Sequence, residues 1–181
     1  MTKLHLGCGK RYLKGWTHID LVTYPHIDHV IGINNLDIYQ NNSVDGIYAC
    51  HCLEHFKRGE VLNVLCEWFR VLKEGGEIHI SVPDFEAMTN EYHSNGRILE
   101  PIMGLLYGRQ DYEYNIHYHT FDFKLMEKLL TKAGFCNIGR YEWQDFLPEG
   151  FDDFSRAYLP HMDFNKGRLM SLNITAIKPG V

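Results

Sequence analysis

The chain has 181 residues, of which 45% are hydrophobic and 23% charged, a composition ordinary for one soluble globular domain. Its net charge of −5, without any basic run, gives no electrostatic basis for wrapping a nucleic-acid backbone, so we expect no nucleic-acid partner. The longest apolar stretches fall well short of the roughly 20 residues that a membrane-spanning helix needs, and we expect no membrane association.

Cysteine usage and the start of the chain bear on its location. The five cysteines are scattered through apparent core segments, and their odd number favours reduced thiols and a cytoplasmic protein. The first strand begins within a few residues of Met1, which predicts no secretory signal. The sequence contains no internal repeat or linker, so we expect one domain over residues 1–181.

Short strands are predicted first along the chain, at KLHL, WTHID, IDHVIGI and VDGIYAC. The last of these is continuously apolar, as a buried parallel strand should be. RGEVLNVLCEWFRVLKEGG then has apolar residues at helical spacing, with Lys73 in the last turn and Gly75 and Gly76 ending the helix.

The second half continues the alternation of strands and helices. EIHISVP predicts a fifth strand, and DFKLMEKLLTKAGF predicts an amphipathic helix with Asp122 as its N-cap and Gly134 at its end. CNIGRYEW and SLNITAIKP complete the series as strands. Such alternation predicts an α/β fold with a mainly parallel sheet.

Two long segments interrupt this pattern and are rich in aromatic residues. We call the one at about residues 84–120 the first insertion and the one at about residues 144–168 the C-terminal insertion. Long connections on a compact α/β scaffold are typical of lids or substrate loops, and the aromatic content argues against disorder.

The stretch LHLGCGK places Gly7 and Gly9 directly after the first strand. A dinucleotide fingerprint would need a third glycine where Tyr12 stands, so a bound pyrophosphate is disfavoured. The two glycines instead permit close approach of a small ligand to the backbone, and Asp20, one strand away, is suited to bind vicinal hydroxyls.

Five stretches in order carry a family resemblance: LHLGCGK, HIDL, NNSVDGIYACHCLEHF, EWFRVLKEGGEIHISVPD and LLTKAGF. Together they resemble the class I S-adenosylmethionine-dependent methyltransferases, and in particular small bacterial members with LGCG…GW…D and LEHF motifs. The resemblance implies a Rossmann-like, mainly parallel seven-stranded sheet with helices on both faces and a shortened first crossover. It also implies S-adenosylmethionine as the cofactor.

Site residues follow from the same resemblance. Asp20 would take the ribose hydroxyls, and His51 would lie beside the methionine moiety after the fourth strand. The loop after the first strand would face the methionine and ribose with Leu6, Gly7, Cys8 and Gly9. Relatives carry an acidic residue after the third strand where this chain has Gly32 or Asn34, so either Asp37 moves in or the backbone near Leu36 binds adenine, with Leu36 against the ring.

Methyl transfer needs a positioned nucleophile and a group that removes its proton. We expect His117 and His51 to serve as catalytic residues, with a hydrogen bond that anchors the insertion as the alternative role of His117. Glu54 and His55 are interpreted as structural residues at a helix start. A metal set of His117, His119 and Asp122 is disfavoured because no metal-binding motif is present, and we expect no metal.

The predicted function is methyl transfer to a small molecule or a saccharide-type acceptor. The alternative is a non-catalytic or regulatory domain that keeps the fold, suggested by the altered adenine segment. A nicotinamide-dependent enzyme is disfavoured by Tyr12 and the short first crossover. Neither the oligomeric state nor the methylated atom follows from the sequence.

Overall fold

Nine strands and five α-helices alternate in the computed structural model, which describes residues 1–180. The strands are β1 (Lys3–Leu6), β2 (Thr17–Asp20), β3 (His29–Val30), β4 (Val44–Cys50), β5 (Leu72–Pro83), β6 (Cys136–Arg140), β7 (Tyr158–Leu159), β8 (Arg168–Leu169) and β9 (Ser171–Ile177). The helices are α1 (Val61–Val71), α2 (Phe85–Ser94), α3 (Met103–Tyr107), α4 (Phe123–Ala133) and α5 (Trp143–Phe146). Single 3-10 turns lie at Leu53–His55, Glu100–Ile102 and Phe154–Arg156.

Seven strands form one sheet in the order β3-β2-β1-β4-β5-β9-β6, and β7 pairs with β8 in a separate hairpin. The pairs among β1 to β5 are parallel, whereas β9 runs antiparallel to both of its neighbours. The predicted mainly parallel seven-stranded sheet is therefore confirmed. No helix within residues 1–180 has the length and apolar character needed to cross a membrane.

Helix α1 ends earlier than the sequence predicts. Its last residue is Val71, and Lys73 and the two glycines lie inside β5 instead. Leu72 turns the backbone to an extended conformation, is fully buried, and pairs with Val44 of β4. Burial of Leu72 in the sheet thus overrides the helical periodicity, as tertiary packing does over local propensity.

One face of the sheet holds the main hydrophobic core. Apolar residues on alternate positions of β1, β4, β5 and β9 pack here against α1 and α4. Trp68 of α1 is fully buried, and its indole N–H donates to the carbonyl oxygen of Ile33 at 2.8 Å. That hydrogen bond ties the loop after β3 to the core.

The opposite face is polar and aromatic, and crossover helices do not cover it. Within the described chain, residues 7–16, 21–28 and 31–43 connect the first four strands without any helix. The short helix α5 and the segment after it lie over this face, where Phe146 stacks on His79 with ring centroids 3.8 Å apart. The shortened first crossover is confirmed, and the C-terminal insertion does the covering that a helix does elsewhere.

The C-terminal insertion is held by polar contacts as well as by its rings. Asp153 is buried and accepts hydrogen bonds from the Tyr48 hydroxyl at 2.5 Å and from the backbone N–H of Ser155 at 2.9 Å. Arg156 stacks between Trp143 and Phe164, with its guanidinium carbon 4.7 and 4.8 Å from the two ring centroids. Arg156 is thus occupied within the insertion.

Acid is expected to destabilise the fold through His5. This residue is buried on the polar and aromatic face of the sheet and stacks on Tyr48. Burial, followed by the charges of His18 and His26, lowers the pKa of His5 to about 3 from its ordinary value of 6.5. Below about pH 6.5, His5 is protonated in the unfolded chain but stays neutral in the folded chain. Stability from this group is therefore lost as pH falls from 6.5 towards 3, at up to about 1.4 kcal/mol per pH unit.

The variant His5→Phe keeps the ring stacking and removes the titration. Urea unfolding at pH 7 and pH 5 should give a difference about 2 kcal/mol smaller in the variant than in the wild type. His93→Ala, at an exposed position of α2, is the control and should keep the wild-type pH dependence. Equal pH dependence in His5→Phe and the wild type would contradict this origin of acid sensitivity.

Candidate active site

Four parallel strands bring their carboxyl ends to one edge of the sheet. Strands β1, β2, β4 and β5 end there at Leu6, Asp20, Cys50 and Pro83. The register pairs Leu6 with Ile19 on one side and with Ala49 on the other, so these ends are level. Ligands of open α/β sheets bind in the crevice beyond such ends.

The two glycines after β1 have different roles. Gly7 has φ +60 and donates its N–H to the carbonyl of Ile19 at 2.8 Å, and a Cβ built there would lie 2.6 Å from Cβ of Cys52. Gly9 has φ +54, and nothing lies within 4 Å of a Cβ built on it. Gly7 therefore allows two loops to pack together, whereas Gly9 presents its backbone to open space that a ligand can enter.

Asp20 organises the loop around Gly9. Its Oδ2 accepts the N–H of Gly9 at 2.7 Å, and its Oδ1 accepts the N–H of Val22 at 2.8 Å. A carboxylate has about four acceptor positions, so each oxygen keeps one for a further donor. The side chain is half-buried and stands beside the open space at Gly9, an arrangement that fits a ligand carrying hydroxyl groups.

His51 follows β4 with φ +49, a left-handed backbone conformation that residues other than glycine rarely adopt. Its ring lies between Ser171, whose Oγ is 2.9 Å from Nε2, and Glu54, whose Oε1 is 3.3 Å from Nδ1. Burial, with smaller contributions from His117 and His55, lowers the pKa of His51 to about 3. The ring is therefore neutral near pH 7.

His117 reaches the same place from the first insertion. Its backbone N–H donates to the carbonyl of Tyr107 at 3.1 Å, and the next residue, Tyr118, donates to the carbonyl of Glu54 at 2.8 Å. The Nε2 atom of His117 lies 3.9 Å from Oε1 of Glu54, and the rings of His55 and His117 meet edge to face. These contacts hold the first insertion against the turn after β4.

Glu54 and His55 belong to this group, although the sequence suggested only a structural role for them. Glu54 is fully buried, and burial raises the pKa of its carboxyl to about 8. The spacing of His51, Glu54 and His55 along one turn after a strand was the available signal. Their partner His117 lies more than 60 residues away, and no local pattern links it to them.

Comparisons with known proteins bear on the fold of the chain. Residues 4–80 match the model of a family described as a methyltransferase domain. The fold matches a SAM-dependent methyltransferase from Archaeoglobus fulgidus with a TM-score of 0.58, over 98% of this chain and 86% of that chain at 14% identity. The first part of the chain thus matches a methyltransferase-domain family, and the whole chain has the fold of S-adenosylmethionine-dependent methyltransferases.

Two other solved structures show the same fold. One is the 1,6-didemethyltoxoflavin-N1-methyltransferase of Burkholderia thailandensis with bound 1,6-didemethyltoxoflavin and S-adenosylhomocysteine (TM-score 0.57, 17% identity, 99% of this chain, 71% of that chain). The other is a SAM-dependent methyltransferase from Thermotoga maritima (TM-score 0.58, 15% identity, 98% of this chain, 82% of that chain). A sequence search of curated proteins gave no match.

Leu6 and Cys8 are buried beside the glycines. The side chain of Leu6 belongs to the main core, so only its backbone is available to a ligand. The thiol of Cys8 is 4% exposed, and burial, followed by the charge of Asp20, raises its pKa to about 12. Cys8 is therefore an unreactive thiol at neutral pH.

The expected adenine contacts are not brought to the site. Leu36 is fully buried in the main core, its N–H donates to Glu67 at 2.7 Å, and its carbonyl accepts from Arg70 at 3.0 Å. Asp37 is exposed next to it. These contacts fasten the loop after β3 to α1, and the adenine contact of Leu36 stays a prediction.

His119 and Asp122 do not join His117. Asp122 caps α4 by accepting the N–H of Leu125 at 2.7 Å, as predicted. The ring of His119 stacks on Phe121, with centroids 4.5 Å apart, and its Nδ1 lies 3.0 Å from the carbonyl of Thr120. The metal ligands considered in the sequence analysis, His117, His119 and Asp122, therefore do not lie together.

The tyrosine-rich part of the first insertion lies near the end of β2. Burial and then the charges of Asp20 and Tyr24 raise the pKa of Tyr112, which places this phenol within electrostatic reach of the Asp20 carboxylate. Tyr112 and Tyr114 meet edge to face, and both rings are about half exposed. The first insertion therefore carries half-exposed aromatic rings, and that of Tyr112 is within range of the charge of Asp20.

Proposed function

We propose that this methyltransferase domain binds S-adenosylmethionine at the ends of β1 and β2 and methylates a small-molecule or saccharide-type acceptor. The observation that carries the cofactor assignment is the open space at Gly9 next to the Asp20 carboxylate. When bound, the cofactor would supply a sulfonium methyl group that is transferred to the acceptor, with S-adenosylhomocysteine as the leaving group. Asp20 would accept the ribose hydroxyls, and His51 would line the methionine end.

The acceptor assignment rests on the first insertion. It carries exposed tyrosine rings, of which Tyr112 is within range of the charge of Asp20, and such rings stack on flat heteroaromatic molecules and on sugar faces. The net charge of −5 disfavours a nucleic-acid acceptor. The toxoflavin-type enzyme with this fold supports a small acceptor only by analogy.

His117 is the proposed base or acceptor contact. Its Nδ1 lies 2.8 Å from the carbonyl of Leu105, which can only accept, so the hydrogen of a neutral ring is on Nδ1. The lone pair is then on Nε2, the atom that faces Glu54. A cytoplasmic location also stays a proposal, supported by five cysteines that form no disulfide.

A second candidate is a regulatory domain that keeps the fold without catalysis. It is favoured by the burial of Leu36 and the exposed position of Asp37, which leave the expected adenine contacts unmade. Calorimetric titration with S-adenosylmethionine and S-adenosylhomocysteine separates the two. Micromolar binding supports the enzyme, and absence of binding at millimolar ligand supports the regulatory domain.

The variant Gly9→Ala tests where the cofactor binds. We expect binding of S-adenosylhomocysteine to weaken by about tenfold or more, which is 1.4 kcal/mol, because a methyl group enters the space beside Asp20. Gly15→Ala is the matched control, since Gly15 also has positive φ and open space at its Cβ position. Both variants carry the same left-handed backbone strain of about 1–2 kcal/mol.

Equal affinities in the two variants would place the ligand away from Gly9. Gly7 is unsuitable for this test, because any side chain there collides with Cys52 and disturbs the packing of the two loops whether or not a ligand binds.

A further inference from the structure

Four side chains converge where the turn after β4 meets the end of the first insertion. Glu54, His55 and His117 each offer a ligand atom, and these three atoms lie within 4.8 Å of one another. His51 stands beside them, with its Nδ1 3.3 Å from Oε1 of Glu54. We call these four residues the Glu54 cluster.

The hydrogen on His51 can be located from its partner. Ser171 has one hydroxyl hydrogen, and its Oγ donates it to the carbonyl of Phe154 at 2.5 Å. Its oxygen must then accept from Nε2 of His51, at 2.9 Å, which puts the ring hydrogen on that atom. The other nitrogen, Nδ1, carries a lone pair that faces the Glu54 carboxyl.

His55 and His117 are oriented in the same way by backbone carbonyls. Nδ1 of His55 lies 3.1 Å from the carbonyl of Ile116, and Nδ1 of His117 lies 2.8 Å from that of Leu105. A carbonyl only accepts, so both neutral rings carry hydrogen on Nδ1 and a lone pair on Nε2. Histidine ligands of metal ions have this arrangement, with the second nitrogen bonded to a carbonyl or carboxylate.

Glu54 completes an unusual set of acceptors. It is fully buried, and neither carboxyl oxygen makes a hydrogen bond within the described residues. The nearest ring nitrogens, Nδ1 of His51 and Nε2 of His117, face it with lone pairs. Burying carboxyl oxygens without a hydrogen-bond donor costs free energy, so a positive charge among the members of the cluster would stabilise it.

We infer that Glu54, His55 and His117 bind a divalent transition-metal ion, with His51 as a fourth ligand. Two or three imidazole nitrogens and one carboxylate are a donor set that Zn²⁺ accepts in tetrahedral sites and that Fe²⁺, Co²⁺ and Mn²⁺ share. The cluster differs from the disfavoured set of His117, His119 and Asp122, because His117 turns towards the turn after β4.

The distances are compatible with small adjustments. Ligand atoms about 2.1 Å from a tetrahedral zinc ion lie about 3.4 Å from one another, so pairs up to 4.8 Å apart need to close by up to about 1.4 Å. The distance between His51 and Glu54 already fits. His55 and His117 are less deeply buried than Glu54, and 8% of the His117 side chain is exposed.

A single proton held by Glu54 is the competing occupant. It would also relieve the facing lone pairs, through a hydrogen bond from the carboxyl group to His51 or His117. Burial raises the pKa of Glu54 to about 8, in line with a protonated group when no ion is bound. The two occupants are distinguished by direct measurement of metal binding.

The experiment is calorimetric titration of chelator-treated full-length protein with Zn²⁺, and a parallel titration with Co²⁺ followed by its visible absorption. We expect one ion per chain, and cobalt bands typical of four-coordinate nitrogen and oxygen ligands. Glu54→Gln keeps the shape and removes the charge, and should weaken binding about 100-fold or more, since even residues that only orient ligands cost 10–100-fold.

His117→Ala is the second variant, and it keeps the test valid if Glu54→Gln does not fold. His119→Ala is the matched control, a neighbouring histidine outside the cluster, and should bind Zn²⁺ as the wild type does. Absence of zinc binding by the wild type, or unchanged binding in both cluster variants, would leave the proton as occupant and overturn the inference. No methyl donor is present in these titrations, so their outcome is independent of the proposed methyl transfer.

Discussion

Replacing Asp20 with alanine is expected to weaken binding of S-adenosylhomocysteine by roughly 10- to 100-fold. A charge-assisted hydrogen bond contributes about 1.5–3 kcal/mol, and the variant loses the proposed acceptor of the ribose hydroxyls. It also releases the N–H of Gly9, so the loop that faces the ligand is no longer fixed. Both losses act on binding in the same direction.

Loss of loop order and loss of a ligand contact can be separated by a matched variant. Asp28→Ala removes another carboxylate that accepts a backbone N–H, from His18 at 2.7 Å, at the opposite end of the strands. We expect Asp28→Ala to lower stability while leaving the dissociation constant unchanged. An unchanged dissociation constant in Asp20→Ala would refute the ribose assignment.

Replacing Asp153 with alanine is expected to lower the free energy of unfolding by about 3 kcal/mol, because buried donors left without a partner cost about 1–3 kcal/mol each. The variant removes the hydrogen-bond acceptor of the Tyr48 hydroxyl in the sheet and of the Ser155 hydroxyl in the C-terminal insertion. Burial raises the pKa of Tyr48, which keeps this phenol a hydrogen donor over the whole useful pH range.

Urea unfolding measures this effect, with Asp152→Ala as the neighbouring control. Asp152 is largely exposed, and its one ion pair within residues 1–180 is a 3.8 Å contact with Arg156, so its removal should change stability by well under 1 kcal/mol. Tyr48→Phe combined with Asp153→Ala should cost little more than Asp153→Ala alone. Fully additive losses in that double variant would show that the two side chains do not act as a pair.

Elements bounded by local chemistry were predictable from sequence. Helix α4 begins after the capping carboxylate of Asp122 and ends at Gly134, whose φ of +108 is open to glycine. Strands β4 and β9 match their apolar runs. The end of α1 was predicted wrongly, since the burial of Leu72 against β4 depends on contacts that the helical pattern does not contain.

The site was only partly predictable, for a similar reason. Gly9 and Asp20 lie at strand ends that the sequence marks, whereas the Glu54 cluster exists because the first insertion returns His117 to the turn after β4. The burial of Leu36 was not predictable, because it follows from the contacts of α1 with the loop after β3. Contacts between distant segments leave no periodic or spacing signal in either partner.

Strand β9 lies in the sheet between β5 and β6, so the site is completed only late in synthesis of the chain. Ser171, which orients His51, is made 120 residues after it, so the ring has no fixed hydrogen-bond partner until the last strand has been made and inserted. Pairings of such long sequence separation form slowly. A nascent chain that stops before β9 holds every residue of the Glu54 cluster and still lacks the support that sets its geometry.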